Sequence, residues 1–154
     1  MSLVVDVIIP ARDEAETVAC VIEEIPRALV RSVIVADNGS HDDTGAQALA
    51  AGARVVREER AGYGWACRAA LGALPDEGDV VAFMVADGSD DPTELPRLLA
   101  PIERGGADLV VGSRTRGAIE PGAMPPWQRA GSLFAAGMLT LRYGRLVTDL
   151  GPFR

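Results

Sequence analysis

The stretch LVVDVIIPARDEAETVACVIEEIP, residues 3–26, together with the SVIVA of residues 32–36, decides the fold. Residues 3–9 are a short run rich in Val and Ile, which is typical of a strand buried on both faces of a parallel sheet. A helix of residues 15–25 follows, because apolar residues recur there at helical spacing before Pro26 ends it. Residues 32–36 are a second apolar strand, so the segment predicts a parallel β-α-β unit.

The alternation of strand and helix continues along the chain. Further strands are predicted at residues 54–57, 79–84 and 108–111, and further helices at 42–51, 63–74 and 93–104. This order predicts an α/β fold with a Rossmann-like, mostly parallel sheet and helices on both faces.

The pattern changes after Arg114. A loop containing glycine and proline covers residues 115–126, and an apolar helix of residues 127–143 follows it. We therefore expect one domain with two regions, an α/β core of residues 1–114 and a second region of residues 115–154. Apolar residues cover more than one face of the 127–143 helix, so it needs a partner. Core packing, a homo-oligomer and peripheral membrane contact are the alternatives.

Composition excludes some functions. The net charge is -7 and the sequence contains no lysine, so nucleic acid is not expected as a partner. The two cysteines form no CxxC pair, which argues against a zinc site. The chain starts directly with a strand and has no run of ~18 apolar residues, so we expect a cytoplasmic protein, which can still work at the inner face of a membrane.

Polar residues follow the predicted strands where each strand ends. Residues 11–14 follow the first strand, residues 37–43 the second, residues 87–91 the fourth and residues 112–114 the fifth. Ligands of open α/β sheets bind at the carboxyl ends of the strands, so this edge is the expected site. The competing interpretation is turn and cap chemistry, which Asp42 and Asp43 favour and which one of Asp90 and Asp91 also favours.

Asp87 is the exception among these carboxylates. It follows a strand that is too apolar to lie at the surface, and a buried carboxylate is costly unless it meets a cation. Mg²⁺ or Mn²⁺ carrying a diphosphate is the natural partner, because hard cations bind carboxylate and phosphate oxygens. The sequence has no GxxxxGK[ST] motif, which argues against a P-loop nucleotidase.

Five motifs in order resemble the family 2 glycosyltransferases of the GT-A fold, and especially the branch that uses dolichol or polyprenyl phosphate. The motifs are IIPARDEA at residues 8–15, VADNGS at 35–40, ADGSDDP at 86–92, GSR at 112–114 and TDLGPFR at 148–154. The resemblance implies an inverting transfer of a sugar from a UDP- or GDP-sugar to an acceptor, with Mg²⁺ or Mn²⁺ as cofactor. Residues 1–114 would then bind the nucleotide sugar, and residues 115–154 would serve the acceptor.

The resemblance also implies roles for individual residues. The nucleotide would be bound by Pro10, Ala11, Glu14, Asp37 and Ala86. Asp87 would hold the metal and act in catalysis. The phosphate of a polyprenyl-phosphate acceptor would be bound by Arg114, Arg129 and Ser132. A hydroxyl acceptor needs a general base, and Asp149 is the candidate.

Two alternatives stay open. The family usually carries Asp-x-Asp where this chain has Val85-Ala86-Asp87, and its members usually continue beyond the Phe-Arg motif. These features fit a non-catalytic module that binds a nucleotide sugar or a partner protein. A sugar-1-phosphate nucleotidyltransferase is disfavoured, because residues 11–14 are not the glycine-rich loop that such enzymes carry after the first strand.

Overall fold

A computed structural model describes residues 3–113 and 126–144. Its sheet has four parallel strands, β1 (Val5–Ala11), β2 (Ser32–Asp37), β3 (Arg54–Arg57) and β4 (Val80–Phe83), in the order β3-β2-β1-β4. These are the first four predicted strands. The register pairs Ala11 with Asp37 and Asp37 with Arg57, so three strands end at the same level.

Helices cover both faces of this sheet, as the alternation of elements predicts. The helices are α1 (Val18–Glu24), α2 (Thr44–Ala50), α3 (Tyr63–Gly72), α4 (Leu95–Glu103) and α5 (Pro126–Tyr143).

The two faces have separate cores. Helices α1, α2 and α4 pack on one face through side chains that include Val18, Ile22 and Leu95, and α3 packs on the other through Ala66 and Ala70. The β-branched residues of β1 and β2 are buried between these layers, which explains their near-continuous apolar runs.

The predicted fifth strand at residues 108–111 is wrong: none of these residues pairs with a strand in the described part of the chain. A cavity of about 310 Å³ lies between residues 79–82, helix α4 and residues 105–110. Leu109 is 69% exposed. An apolar run indicates burial, but it does not supply the neighbouring strand with which a new strand must form hydrogen bonds. The apolar run at residues 108–111 was therefore not sufficient to predict a strand.

Helix α5 confirms the long helix predicted at residues 127–143. One face is exposed and carries Leu133, Phe134, Met138 and Leu141, whereas Ala136 is buried. No helix within the described ranges is long and apolar enough to cross a membrane. Residues 114–125 and 145–154 lie outside the described residues, so the predicted second region is seen here only as α5.

A buried ion pair lies at the opposite edge of the sheet from the candidate site. Asp6 is 1% exposed and accepts hydrogen bonds from Arg31 Nε at 3.1 Å, Arg31 Nη2 at 2.5 Å and Ser32 Oγ at 2.6 Å. Arg31 also donates to the backbone carbonyls of Pro75 and Asp76. Burial acts to raise the pKa of Asp6, but the hydrogen bonds from Arg31 and Ser32 and the charge of Arg31 outweigh it, so the pKa is lowered from 3.8.

This ion pair predicts a pH-dependent part of the stability. Because the pKa of Asp6 is lower in the folded chain than in the unfolded chain, its contribution is present above the ordinary pKa of 3.8 and is lost as pH falls through the folded pKa. We expect Asp6→Asn to lower the free energy of unfolding at neutral pH and the difference from the wild type to shrink in this acidic range. Urea unfolding at a series of pH values measures it, with Asp76→Asn in the adjoining loop as the control. A difference that stays constant down to the acid transition contradicts the prediction.

Candidate functional site

The strand order places a crevice at the carboxyl ends of β1 and β4. From β1 the chain moves to β2 and then β3 on one side, and it returns to place β4 on the other side of β1. Such a reversal leaves a gap between loops that diverge to opposite faces, and ligands of open α/β sheets bind there. Residues 11–15 follow β1 and residues 84–91 follow β4, so the strand order makes these two segments the expected walls of the crevice.

The loop after β1 is fastened to the loop after β2. The backbone N–H groups of Asp13, Glu14 and Ala15 donate to Ser40 Oγ at 3.1 Å, Thr44 Oγ1 at 2.8 Å and Asp42 Oδ2 at 3.1 Å. These three amides are therefore already satisfied, and they hold this wall of the crevice in a fixed shape. Asp13 adopts a φ of 55°, a strained conformation that these bonds stabilise.

Pro10, Ala11 and Glu14, for which the family resemblance implies nucleotide binding, lie at the end of β1 and in the loop that follows it. Ala11 ends β1 and is buried, while Pro10 and Glu14 are half-buried. The Glu14 carboxylate accepts a hydrogen bond from Thr17 Oγ1 at 3.0 Å, which directs it toward the start of α1.

Asp37 ends β2 with both carboxylate oxygens bonded. Oδ1 accepts from the Ser40 N–H at 2.9 Å, and Oδ2 accepts from Arg57 Nη1 at 2.8 Å. The Asp37 side chain is 6% exposed, whereas that of Arg57 is 51% exposed. Sequence reasoning found Asp37 but missed Arg57, although an arginine at the end of the predicted third strand was a usable signal.

Asn38 joins the ends of three strands. Its backbone N–H donates to Ala11 O at 2.8 Å, and its Nδ2 donates to Glu58 O at 3.0 Å and Arg60 O at 2.7 Å. Its Oδ1 accepts from the Gly62 N–H at 2.8 Å, just before α3. Asn38 is buried, so it fixes the turn after β3 and the start of α3 relative to β1 and β2.

The turn after β3 contains a second carboxylate held by an arginine, that of Glu58. Arg60 donates to Glu58 through Nε at 2.8 Å, Nη2 at 2.6 Å and its backbone N–H at 2.9 Å. The hydrogen bonds from the side chain and the backbone of Arg60 lower the pKa of Glu58 from 4.5 to about 2. The Arg60 guanidinium also lies 3.9 Å from the centroid of the Trp65 ring, so it is shared between a carboxylate and an aromatic face.

The segment after β4 shows that one expectation about Asp87, its burial, is wrong. Strand β4 ends at Phe83, and although Met84 and Ala86 are buried, Asp87 is exposed. The argument that burial forces a cation on Asp87 is therefore wrong, because the chain has left the core before this residue. Asp87 Oδ1 accepts from the Ser89 N–H at 2.9 Å, and its Oδ2 makes no hydrogen bond with a described residue.

The neighbouring carboxylates have structural roles. Asp91 begins the short 3-10 turn Pro92–Glu94 and accepts from the Thr93 N–H at 2.9 Å, as the capping interpretation predicts. Buried Asp90 accepts from the Val85 N–H at 3.3 Å. On the β2 side, Asp42 accepts from the Thr44 N–H at 3.0 Å, whereas Asp43 makes no side-chain cap bond. Of the two, Asp42 therefore supplies the cap of α2.

The described residues contain no group of three or more His, Cys, Asp or Glu side chains arranged to hold a metal ion. Among the carboxylates that follow β4, Asp87 and Asp91 are exposed, and Asp87 is the nearer of the two to the strand end. Such a site fits Mg²⁺ or Mn²⁺ that arrives with a substrate diphosphate, because these ions commonly bind one or two carboxylates and complete their shell with phosphate and water oxygens.

The predicted acceptor residues are not brought together by the described structure. Arg114 and Asp149 lie outside the described residues. Arg129 lies in α5, but only its backbone is described, and Ser132 is half-buried in the same helix.

Comparisons with known proteins identify relatives of this chain. The profile of the family "Glycosyl transferase family 2" matches residues 6–150. An uncharacterized glycosyltransferase of Mycobacterium tuberculosis is 40% identical over 151 residues, which are 97% of this chain and 66% of that protein. The low-salt glycan biosynthesis hexosyltransferase Agl6 of Haloferax volcanii is 36% identical over 149 residues, 93% of this chain and 35% of that protein. The chain thus spans 66% or less of the length of these relatives.

Among solved structures, glucosyl-3-phosphoglycerate synthase from Mycobacterium tuberculosis in complex with Mn²⁺, UDP-glucose and phosphoglyceric acid is similar with a TM-score of 0.73. The match has 31% identity and covers 98% of this chain and 55% of that one. This likeness confirms the GT-A fold that the sequence predicts. Since the family profile covers most of the sequence, the chain belongs to glycosyl transferase family 2.

Proposed function

We propose that this chain carries the donor site of an inverting glycosyltransferase that moves a sugar from a nucleoside diphosphate sugar to an acceptor bearing a phosphate. One observation carries the proposal: neighbouring strands β1 and β4 are followed by a loop fixed by hydrogen bonds and by the exposed carboxylate of Asp87, respectively. The structural relative that binds UDP-glucose and Mn²⁺ supports the donor class.

The donor would lie across the strand ends. Pro10, Ala11 and Glu14 would line the nucleotide from the β1 side, Ala86 from the β4 side, and Asp37 would lie at the end occupied by the base. Asp87 would hold the divalent cation, whose charge supplies electrostatic stabilisation as negative charge develops on the leaving diphosphate. The protein's own contribution is to orient the donor in a fixed crevice, so that the acceptor reaches the anomeric carbon from the opposite side.

Two acceptors share the phosphate chemistry. The sequence resemblance implies polyprenyl phosphate, whose phosphate is anionic near neutral pH and needs positioning by cations, for which we propose Arg114, Arg129 and Ser132. The solved relative binds phosphoglyceric acid instead. A hydroxyl acceptor would need a general base, and Asp149 remains the residue we propose for that role.

Two further proposals concern α5. Its exposed apolar face of Leu133, Phe134, Met138 and Leu141 would serve a homo-oligomer, or a peripheral contact with the membrane if the acceptor is a lipid.

A second function is favoured by one residue. Val85 stands where the first carboxylate of the metal motif is expected, and its apolar side chain cannot bind a cation. A module that binds a nucleotide sugar without transferring it fits this observation. Binding followed by turnover separates the two functions.

Metal-dependent donor binding is the expected result. Calorimetric titration with UDP and with GDP, each with and without Mn²⁺, should show one nucleotide bound at least about tenfold more tightly with the metal, since Asp87 and the diphosphate share the cation. The titration is followed by assays of UDP-glucose and GDP-sugar turnover with polyprenyl phosphate and with 3-phosphoglycerate. Binding without transfer to either acceptor supports the non-catalytic module, and absence of nucleotide binding contradicts both functions.

A further inference from the structure

The guanidinium of Arg57 is held in one plane at the end of β3. Its Nη1 donates to Asp37 Oδ2 at 2.8 Å, its Nε to Glu59 Oε1 at 2.8 Å and its Nη2 to Ser40 O at 3.5 Å. A guanidinium has five N–H donors, so two remain after these three bonds to described residues. The side chain is half-exposed, so these donors can meet a ligand.

The Asp37 side chain is buried, whereas that of Arg57 is exposed to solvent. Besides its bonds to Ser40 and Arg57, its Oδ2 lies 3.2 Å from the position that a Cβ on Gly45 would take, so the first turn of α2 closes the remaining side. A side chain enclosed on these sides presents little hydrogen-bonding surface to a ligand. Asp37 accepts a hydrogen bond from Arg57 and so orients the guanidinium, which is the exposed member of the pair.

The position of Arg57 suits the base end of a bound nucleotide. Asp87 follows β4, and Arg57 ends β3, three strand spacings away across the sheet edge. At roughly 4.8 Å per spacing the two ends lie about 14 Å apart, which is the length scale of a nucleoside diphosphate. A nucleotide with its diphosphate near Asp87, lying along the strand ends, would reach β2 and β3 with its base.

We propose that Arg57 is a specificity-determining residue that donates a hydrogen bond to a carbonyl oxygen of the donor's base, with Asp37 as its positioning residue. The inference rests on the proposed function. Arginine can only donate, so it favours O4 of uracil or O6 of guanine and disfavours the amino groups that cytosine and adenine carry at the same positions. Arg57 thus selects an oxo base over its amino counterpart.

The test compares matched nucleotides. Dissociation constants for UDP and CDP, and for GDP and ADP, are measured by calorimetry with Mn²⁺ for the wild type and Arg57→Gln. We expect the wild type to prefer one oxo nucleotide and Arg57→Gln to reduce that preference about tenfold, mainly by weakening the oxo nucleotide. Arg54→Gln, at the other end of β3, is the matched control, because Arg54 donates to Ala73 O far from the crevice.

The outcomes separate this inference from the proposed function. A wild type that binds no nucleoside diphosphate overturns both. If the wild type prefers the oxo nucleotide and Arg57→Gln keeps the same preference, the inference alone is overturned. The inference is also overturned if Arg57→Gln weakens the binding of UDP and CDP, or of GDP and ADP, equally, because a purely structural role gives that result. If Arg57→Gln does not fold, Arg57→Lys replaces it, and its preference should be reduced less because lysine keeps a charged donor without the planar fork.

Discussion

Asp87→Ala is expected to lower kcat/KM for sugar transfer by about 100- to 1000-fold, the range seen when one preorganised group that stabilises developing charge is removed. Asp87 is the exposed carboxylate nearest to the end of β4, and its Oδ2 makes no hydrogen bond with a described residue. The variant removes the proposed protein ligand of the cation while leaving the buried strand β4 unchanged. Steady-state kinetics over a range of Mn²⁺ concentrations measure the effect, and nucleotide binding should also lose its metal dependence.

Asp91→Ala is the matched control for this prediction. Asp91 is an exposed carboxylate four residues further along the same loop, but its side chain caps the 3-10 turn through Thr93. Its loss should cost about 1 kcal/mol of stability, as for other caps, and leave the metal dependence intact. Transfer that continues at the wild-type rate and with the same Mn²⁺ response in Asp87→Ala would falsify the metal role of Asp87.

The four strands of the sheet could be predicted, and the candidate site could be assigned to one edge of it, because both depend on local patterns. The apolar runs of β1 and β2 indicated strands buried on both faces, and both are buried. The polar residues at their ends indicated the functional edge, since parallel strands end together. Residues 108–111 have a similar run and form no strand, because pairing depends on a partner that the run itself does not specify.

Long-range contacts explain what was missed. Asp87 was expected to be buried because it follows an apolar run, but the direction in which the chain leaves β4 is set by packing beyond that run. Arg57 and Asp37 are 20 residues apart, and they meet only because the β2–β3 register places them side by side. The three bonds of the Asn38 side chain likewise depend on where the turn after β3 lies. A sequence pattern indicates which residues are polar, and the register decides which of them meet.

Asn38 gives the second large effect, on stability. Asn38→Ala removes three side-chain hydrogen bonds, and it leaves the carbonyls of Glu58 and Arg60 and the Gly62 N–H without their partner. Each bond is worth about 1 kcal/mol net, so the loss of three should lower the free energy of unfolding by roughly 3 kcal/mol. Urea unfolding measures the loss, and hydrogen exchange should rise first in residues 58–66.

Asn38→Asp separates the two ends of this amide. Aspartate has nearly the same shape and can still accept from the Gly62 N–H, but where Nδ2 donated it places an oxygen against two carbonyl oxygens. If the donor end holds the turn, Asn38→Asp should be at least as destabilising as Asn38→Ala; if the acceptor end holds it, most of the stability should return. Losses below about 1 kcal/mol in both variants would show that the turn after β3 is held by other contacts. Arg57 directly precedes this turn, so a displaced turn should also weaken the base preference proposed for Arg57. Nucleotide binding by the folded Asn38 variants therefore tests whether the hydrogen bonds of Asn38 help to position Arg57.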